Sequence, residues 1–121
     1  VAYAGHLEAA HRKYLAGDFV AAVGEYRNAI AVRETSAALF GLGRALAGAR
    51  QPALAVDALE RAVALDAQNA DAYIALGQVY AAENRPGDAR RAFARYLDLS
   101  PAGEQASDVR AHLARLGGRS N

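Results

Sequence analysis

The sequence predicts an all-α fold made of antiparallel helix pairs, and three observations predict it. Apolar residues recur at spacings of three and four along the 121-residue chain, not at two. Strand formers are sparse, Trp is absent, and much of the 53% hydrophobic content is alanine, which suits close packing of thin helices. The pattern also repeats. Residues 36–69 laid over 70–103 match clearly at a set of motif positions, with a period of 34.

In the first of these copies Leu39-x-x-Leu42-Gly43-x-x-Leu46 faces Tyr73-x-x-Leu76-Gly77-x-x-Tyr80 in the second. Further along, Ala55-x-x-x-Leu59-x-x-Ala62-Val63-x-Leu65 faces Ala89-x-x-x-Phe93-x-x-Tyr96-Leu97-x-Leu99. An upstream copy, offset by 33, carries Gly17-Asp18-Phe19 and then Ala22-x-x-x-Tyr26-x-x-Ala29-Ile30-x-Val32. Each copy reads as two amphipathic helices. Asp18, Thr35 or Ser36, and Asn69 stand where helix N-caps are wanted, because their short side-chain oxygens accept from free backbone N–H groups. Pro52 and Pro86 fit the first turn of each second helix, where a missing N–H costs nothing, and Pro101 closes the third copy.

The small residues have a packing reason. A helical glycine costs about 1 kcal/mol relative to alanine, so Gly43 and Gly77 are expected where the two helices of a pair cross closely, opposed by Ala55 and Ala89. Tyr26, Leu59 and Phe93 are expected to fill the space between successive pairs. One pair cannot bury its faces alone, whereas a stack can. Residues 104–116 carry Ala106, Val109, Leu113 and Leu116 at helical spacing with Asp108, Arg110 and Arg115 between them, as a terminal helix with a polar outer face would. Gly117-Gly118 should end it, leaving 117–121 as a disordered tail.

The combination of [Leu/Tyr]-x2-Leu-Gly-x2-[Leu/Tyr], Ala-x3-[Leu/Phe]-x2-Ala and a 34-residue period resembles the tetratricopeptide repeat. Tyr73, Leu76, Gly77, Tyr80, Ala89, Phe93 and Pro101 stand at the family's spacings; Ala67 replaces the closing Pro in the preceding copy, and Tyr96 departs from the usual small residue. Tyr96 is expected to pack on the segment that follows. The resemblance covers residues 3–116 as one domain, with repeats at about 3–35, 36–69 and 70–103 and a capping helix at 104–116. It implies seven helices in a right-handed superhelical stack, and a protein-interaction module or scaffold, not an enzyme. A partner peptide or helix would lie in a concave groove lined by the first helix of each pair.

Carried over by register, the groove positions are Ala37, Phe40, Arg44 and Ala47 in the second copy, and Asp71, Ile74, Gln78, Ala81 and Ala82 in the third. In the first copy two registers stay open. One places Leu7, His11 and Tyr14 in the groove; the other makes Tyr3, Leu7, Ala10 and Tyr14 a core stripe and exposes Glu8 and Arg12. Some family members grip acidic C-terminal peptides with a clamp of lysines, arginines and asparagines. Gly41, Asp71 and Ala75 are among the residues at matching positions, so that clamp is missing and a mixed apolar ligand is expected. Phe40 and Ile74 can instead serve inter-repeat packing.

Other function classes find little support. A net charge of +1 with interspersed signs lacks the basic stripe that nucleic acid requires, and Arg90, Arg91 and Arg95 are flanked by Asp88 and Asp98. With no cysteine, disulfides and thiolate metal sites are out, and no apolar run approaches the roughly 20 residues of a membrane span. His6 and His11 are five apart and project to different faces; Asp108 and His112 can hydrogen-bond on a helix surface. Neither arrangement supports a metal or a catalytic triad, and no cofactor is expected. Gly41-Leu42-Gly43 is half a dinucleotide fingerprint without its strand. Asp57, Glu60, Asp66 and Asp71 lack calcium-loop spacing. The alanine and arginine bias, with Lys13 the one lysine, suggests a bacterial source, cytoplasmic or periplasmic; the chain, starting at Val1 without any Met, reads as a processed form or part of a larger protein or assembly. The competing reading is a structural solenoid segment that self-associates or stacks on further repeats.

Overall fold

The computed structural model describes residues 2–117. Among them lie seven α-helices and no strands: α1 (Ala2–Leu15), α2 (Phe19–Val32), α3 (Ser36–Gly48), α4 (Pro52–Leu65), α5 (Ala70–Ala82), α6 (Pro86–Leu99) and α7 (Ala106–Gly117). The chain divides into two compact units, Val1–Ala67 and Gln68–Asn121. In the first, α1 pairs with α2 and α3 with α4, while α2 packs on α3 and α1 touches α3. In the second, α5 pairs with α6, and α6 carries α7.

The helix boundaries follow from local chemistry. Asp18 Oδ1 accepts from Ala21 N at 3.2 Å, Thr35 Oγ1 from Ala38 N at 3.1 Å, and Asn69 Oδ1 from Ala72 N at 3.2 Å. Each such cap is worth about 1 kcal/mol. Helices α4 and α6 begin without a side-chain cap but with proline at the first turn, as expected. Inside each pair the turn uses one left-handed residue at the same slot: Gly17 (φ 80°), Arg50 (φ 64°) and Asn84 (φ 59°). The following amide returns to the preceding helix in all three, Asp18 N to Lys13 O, Gln51 N to Leu46 O and Arg85 N to Tyr80 O, each at 2.9 Å.

Both helical glycines singled out in the sequence lie at tight crossings. A Cβ on Gly43 would come within 2.6 Å of Leu59 Cδ2, and one on Gly77 within 2.6 Å of Phe93 Cδ1. Leu59 and Phe93 therefore fill their own pair's crossing. Phe93 also reaches onward, stacking on His112 of α7 with ring centroids 5.2 Å apart. Tyr26 does bridge successive pairs: a Cβ on Gly41 would lie 2.9 Å from Tyr26 Cδ1, so the first glycine of Gly41-Leu42-Gly43 admits an aromatic ring and not a nucleotide.

In α1 the residue fully buried is Ala10, at the slot that Gly43 holds one repeat later. Tyr3, Leu7 and Tyr14 are half-buried beside it, and Glu8 and Arg12 are exposed and paired with each other. The helix therefore keeps the register counted back from Gly17, in which Leu7, His11 and Tyr14 take the slots of Phe40, Arg44 and Ala47. The half-burial of Tyr3, Leu7 and Tyr14 is compatible with it, and His11 is exposed.

The terminal helix begins two residues later than the sequence suggests and runs through Gly117; the rest of the expected tail lies outside the described residues. Tyr96 packs on the segment after α6, as expected, and a Cβ on Gly103 would meet its Oη at 2.5 Å. Asp108 is not the partner of His112. Arg115 Nη2 donates to His112 Nδ1 at 2.7 Å while the ring face lies on Phe93.

Candidate functional site

Each unit holds some of the residues expected to face a partner. In the first, α1 supplies His11 and Tyr14, and α3 supplies Phe40, Arg44 and Ala47. Phe40 precedes Arg44 by one helical turn, so both project from the same face of α3. The Arg44 guanidinium sits 4.7 Å from the Phe40 ring centroid and 4.5 Å from that of Tyr14. Tyr14 is braced in turn by an edge contact with Phe19, centroids 5.4 Å apart.

Tyr26 forms the floor. It is 1% exposed, and its Oη lies 3.2 Å from His11 Nδ1. Burial pushes its phenol above the ordinary value of 10.0, and the neighbouring positive charge of Arg44, which also hydrogen-bonds it, works against that shift. Arg44 itself is half-buried. Its Nε is buried and finds no acceptor, and no acidic side chain pairs with it among the described residues. Arg12 pairs with Glu8, Arg61 with Glu34, and Arg85 and Arg91 with Asp88, whereas Arg33 and Arg95, like Arg44, lie over an aromatic ring without an ion pair among the described residues. Arg44 differs from those two in lying over two rings. The outcome is a cation set against two aromatic rings, with no nucleophilic side chain among the residues that touch it.

In the second unit Asp71, Gln78 and Ala81 are exposed along α5, with Asp71 in the first turn, where the helix dipole favours an acid. Ile74 is only 6% exposed, so its side chain belongs to the packing and offers a partner little surface. Ala47, in the first unit, is half-buried. Tyr26 is the residue whose part sequence reasoning missed. The available signal was a hydroxyl at the slot that Leu59 and Phe93 fill in the later copies.

The remaining histidines and acids form no chemical centre. His6 Nδ1 pairs with Glu25 Oε1 at 2.8 Å, and that contact, followed by Asn28, holds the Glu25 carboxyl below its usual range. No group of three or more metal-ligating side chains occurs among the described residues, and none of their helices is long and apolar enough to cross a membrane.

Comparison with known proteins matches this architecture to one family. The tetratricopeptide repeat model matches residues 7–68 and again 42–104. No curated protein matches the chain in sequence. Solved structures share its fold. The Arabidopsis OM64 TPR domain is 21% identical, covers 94% of this chain and 95% of its own, and superposes with a TM-score of 0.88. The second TPR domain of human RPAP3, in complex with an HSP70 peptide, is 17% identical, with coverage of 96% and 95% and a TM-score of 0.86. The Yersinia enterocolitica type III secretion chaperone SycD, in complex with a peptide of the translocator YopD, is 13% identical, with coverage of 97% and 93% and a TM-score of 0.91. With the family model matched over both strong copies and most of the upstream one, the chain belongs to the tetratricopeptide repeat family.

Proposed function

We propose that the chain is a protein-interaction module, without catalysis of its own, that holds a segment of another protein against the first-helix faces of its repeats. The observation that carries this reading is the Arg44 guanidinium, fixed between Tyr14 and Phe40 and paired with no acid among the described residues. Holding a long cationic side chain in one orientation costs rotamer entropy, and a recognition site gains from that pre-organisation. Support also comes from the structural neighbours, where an RPAP3 domain holds an HSP70 peptide and SycD holds a YopD peptide. His11, Phe40, Arg44 and Ala47 form the surface in the first unit, and Asp71, Gln78 and Ala81 form it in the second, with Ile74 supporting from beneath.

The test is affinity capture with the wild-type chain and with the Phe40→Ala and Arg44→Glu variants, each checked for native helicity. Both variants should lose the captured protein, while Arg27→Glu, at an exposed position of α2, should retain it. An identical catch from all four chains sinks the assignment. Self-association is the second reading, favoured by Leu15 and Val20, both 76% exposed in the first helix pair. Sedimentation across concentration decides it, because a strict monomer excludes it.

A further inference from the structure

We infer that Arg44 is a receptor for a single side-chain carboxylate, so that the bound segment carries an internal Asp or Glu flanked by apolar residues. This rests on the interaction-module reading and specifies the chemistry of its ligand. The guanidinium carbon lies over the rings of Tyr14 and Phe40, at 4.5 and 4.7 Å, and the edge formed by its two terminal N–H groups is what a partner would meet. A carboxylate is the planar acceptor that fits such an edge with two parallel bonds. Nε is buried and out of a partner's reach, so the terminal Nη groups of this half-buried side chain are the ones available. The Tyr26 phenol is the neutral group that meets the guanidinium, and no acid pairs with it among the described residues.

The surrounding groups set the number of charges and the company they keep. His11 adds an imidazole beside Tyr26, and no second fixed cation joins Arg44 on the α3 face, where the neighbouring positions are Phe40 and Ala47. One guanidinium matches one carboxylate. A chain terminus with an adjacent acid would bring two. Tyr14, Phe40 and Ala47 around the cation offer apolar contact to residues on either side of the acid.

The probe is a phage library of random linear nonapeptides, joined to the coat protein through their C-termini so that no free terminal carboxylate is present. Selection on the full chain should enrich a motif with one Asp or Glu between apolar residues. A synthetic peptide of that motif with both ends blocked should bind about tenfold or more weakly after its acid is changed to the amide, as loss of a charged hydrogen-bond pair implies. Arg44→Gln should abolish that difference, binding acid and amide peptides equally. The ligand-side change needs no protein variant, so a poorly folded Arg44→Gln leaves the test intact. Enrichment of a motif without an acid overturns the inference and leaves the interaction module standing. So does an acid preference that survives in Arg44→Gln, and so does enrichment confined to a second library displayed with free C-termini. Failure to enrich any peptide from either library overturns both.

Discussion

Replacing Gly43 by alanine should destabilise the chain, although glycine-to-alanine changes inside helices ordinarily stabilise by about 1 kcal/mol. The added methyl would sit 2.6 Å from Leu59 Cδ2 and 3.3 Å from Cδ1. Non-bonded carbons prefer about 3.5–4.0 Å, so Leu59 or the helix crossing has to give by roughly 1 Å. Leu59 is fully buried, so it cannot give way toward solvent. Overpacking of this kind costs about 1–3 kcal/mol, which offsets the propensity gain and leaves a net loss of up to about 2 kcal/mol. For a domain of this size that lowers the thermal midpoint by up to about 8 °C. The internal control is Gly24→Ala in α2, where the residue is exposed and a Cβ meets nothing within 4 Å. That change should raise the midpoint by a few degrees. Circular dichroism at the helical minimum, followed through thermal unfolding of both variants, reads the two signs in one assay. If Gly43→Ala stabilises as Gly24→Ala does, the crossing has slack and the close-packing argument for these glycines is wrong.

Arg50 occupies the left-handed slot that Gly17 fills in the first pair. Arg50→Gly should therefore stabilise by about 0.5–1 kcal/mol, read as a rise in thermal midpoint, because glycine adopts positive φ without a Cβ penalty. The Tyr26 phenol titrates above its ordinary 10.0 in the folded chain. Its share of stability is full below about pH 10 and falls as pH climbs through the raised pKa, since the unfolded chain releases the proton more readily. Urea midpoints measured from pH 8 to 11 should decline less steeply in Tyr26→Phe than in wild type. Asp88 behaves oppositely. Arg85, then Arg91, holds its carboxyl below 3.8, so the stabilisation is present above about pH 4 and lost as pH falls through the lowered pKa. Asp88→Asn should flatten the acid limb of the same urea series.

Local chemistry carried most of the fold into the sequence. The caps at Asp18, Thr35 and Asn69 and the prolines at 52 and 86 declare themselves through short-range hydrogen bonding and φ restriction, so the helix starts were readable. Gly43 and Gly77 were readable because an unexplained helical glycine demands a close neighbour. Contacts between non-adjacent elements were not readable in this way. The site at Arg44 needs a ring from α1 and one from α3 at once, and spacing within a single helix cannot reveal that meeting. Ile74 shows the same limit: its register marks a helix face, while burial depends on what that face meets. The register of α1 stayed open because the crossing residue there is Ala10, and one alanine among many carries no signal. His112 was misjudged for a related reason. Asp108 is its sequence neighbour on α7, but the nearby ring of Phe93 in α6 fixes the imidazole.

Tyr96 and Gly103 have a consequence for anyone wishing to lengthen this array by splicing. At the slots equivalent to Tyr96 the earlier copies hold Ala29 and Ala62, and at the slot of Gly103 the second copy holds the capping Asn69. The phenol of Tyr96 reaches the space that a side chain on Gly103 would occupy, so the two residues are keyed to each other. Helices α6 and α7 are thus a matched terminal cassette, not exchangeable parts. A splice that exchanges Gly103 for the Asn of the second copy would put a side chain against the Tyr96 phenol and make it move, whereas duplication of 36–69 upstream leaves the keyed end untouched.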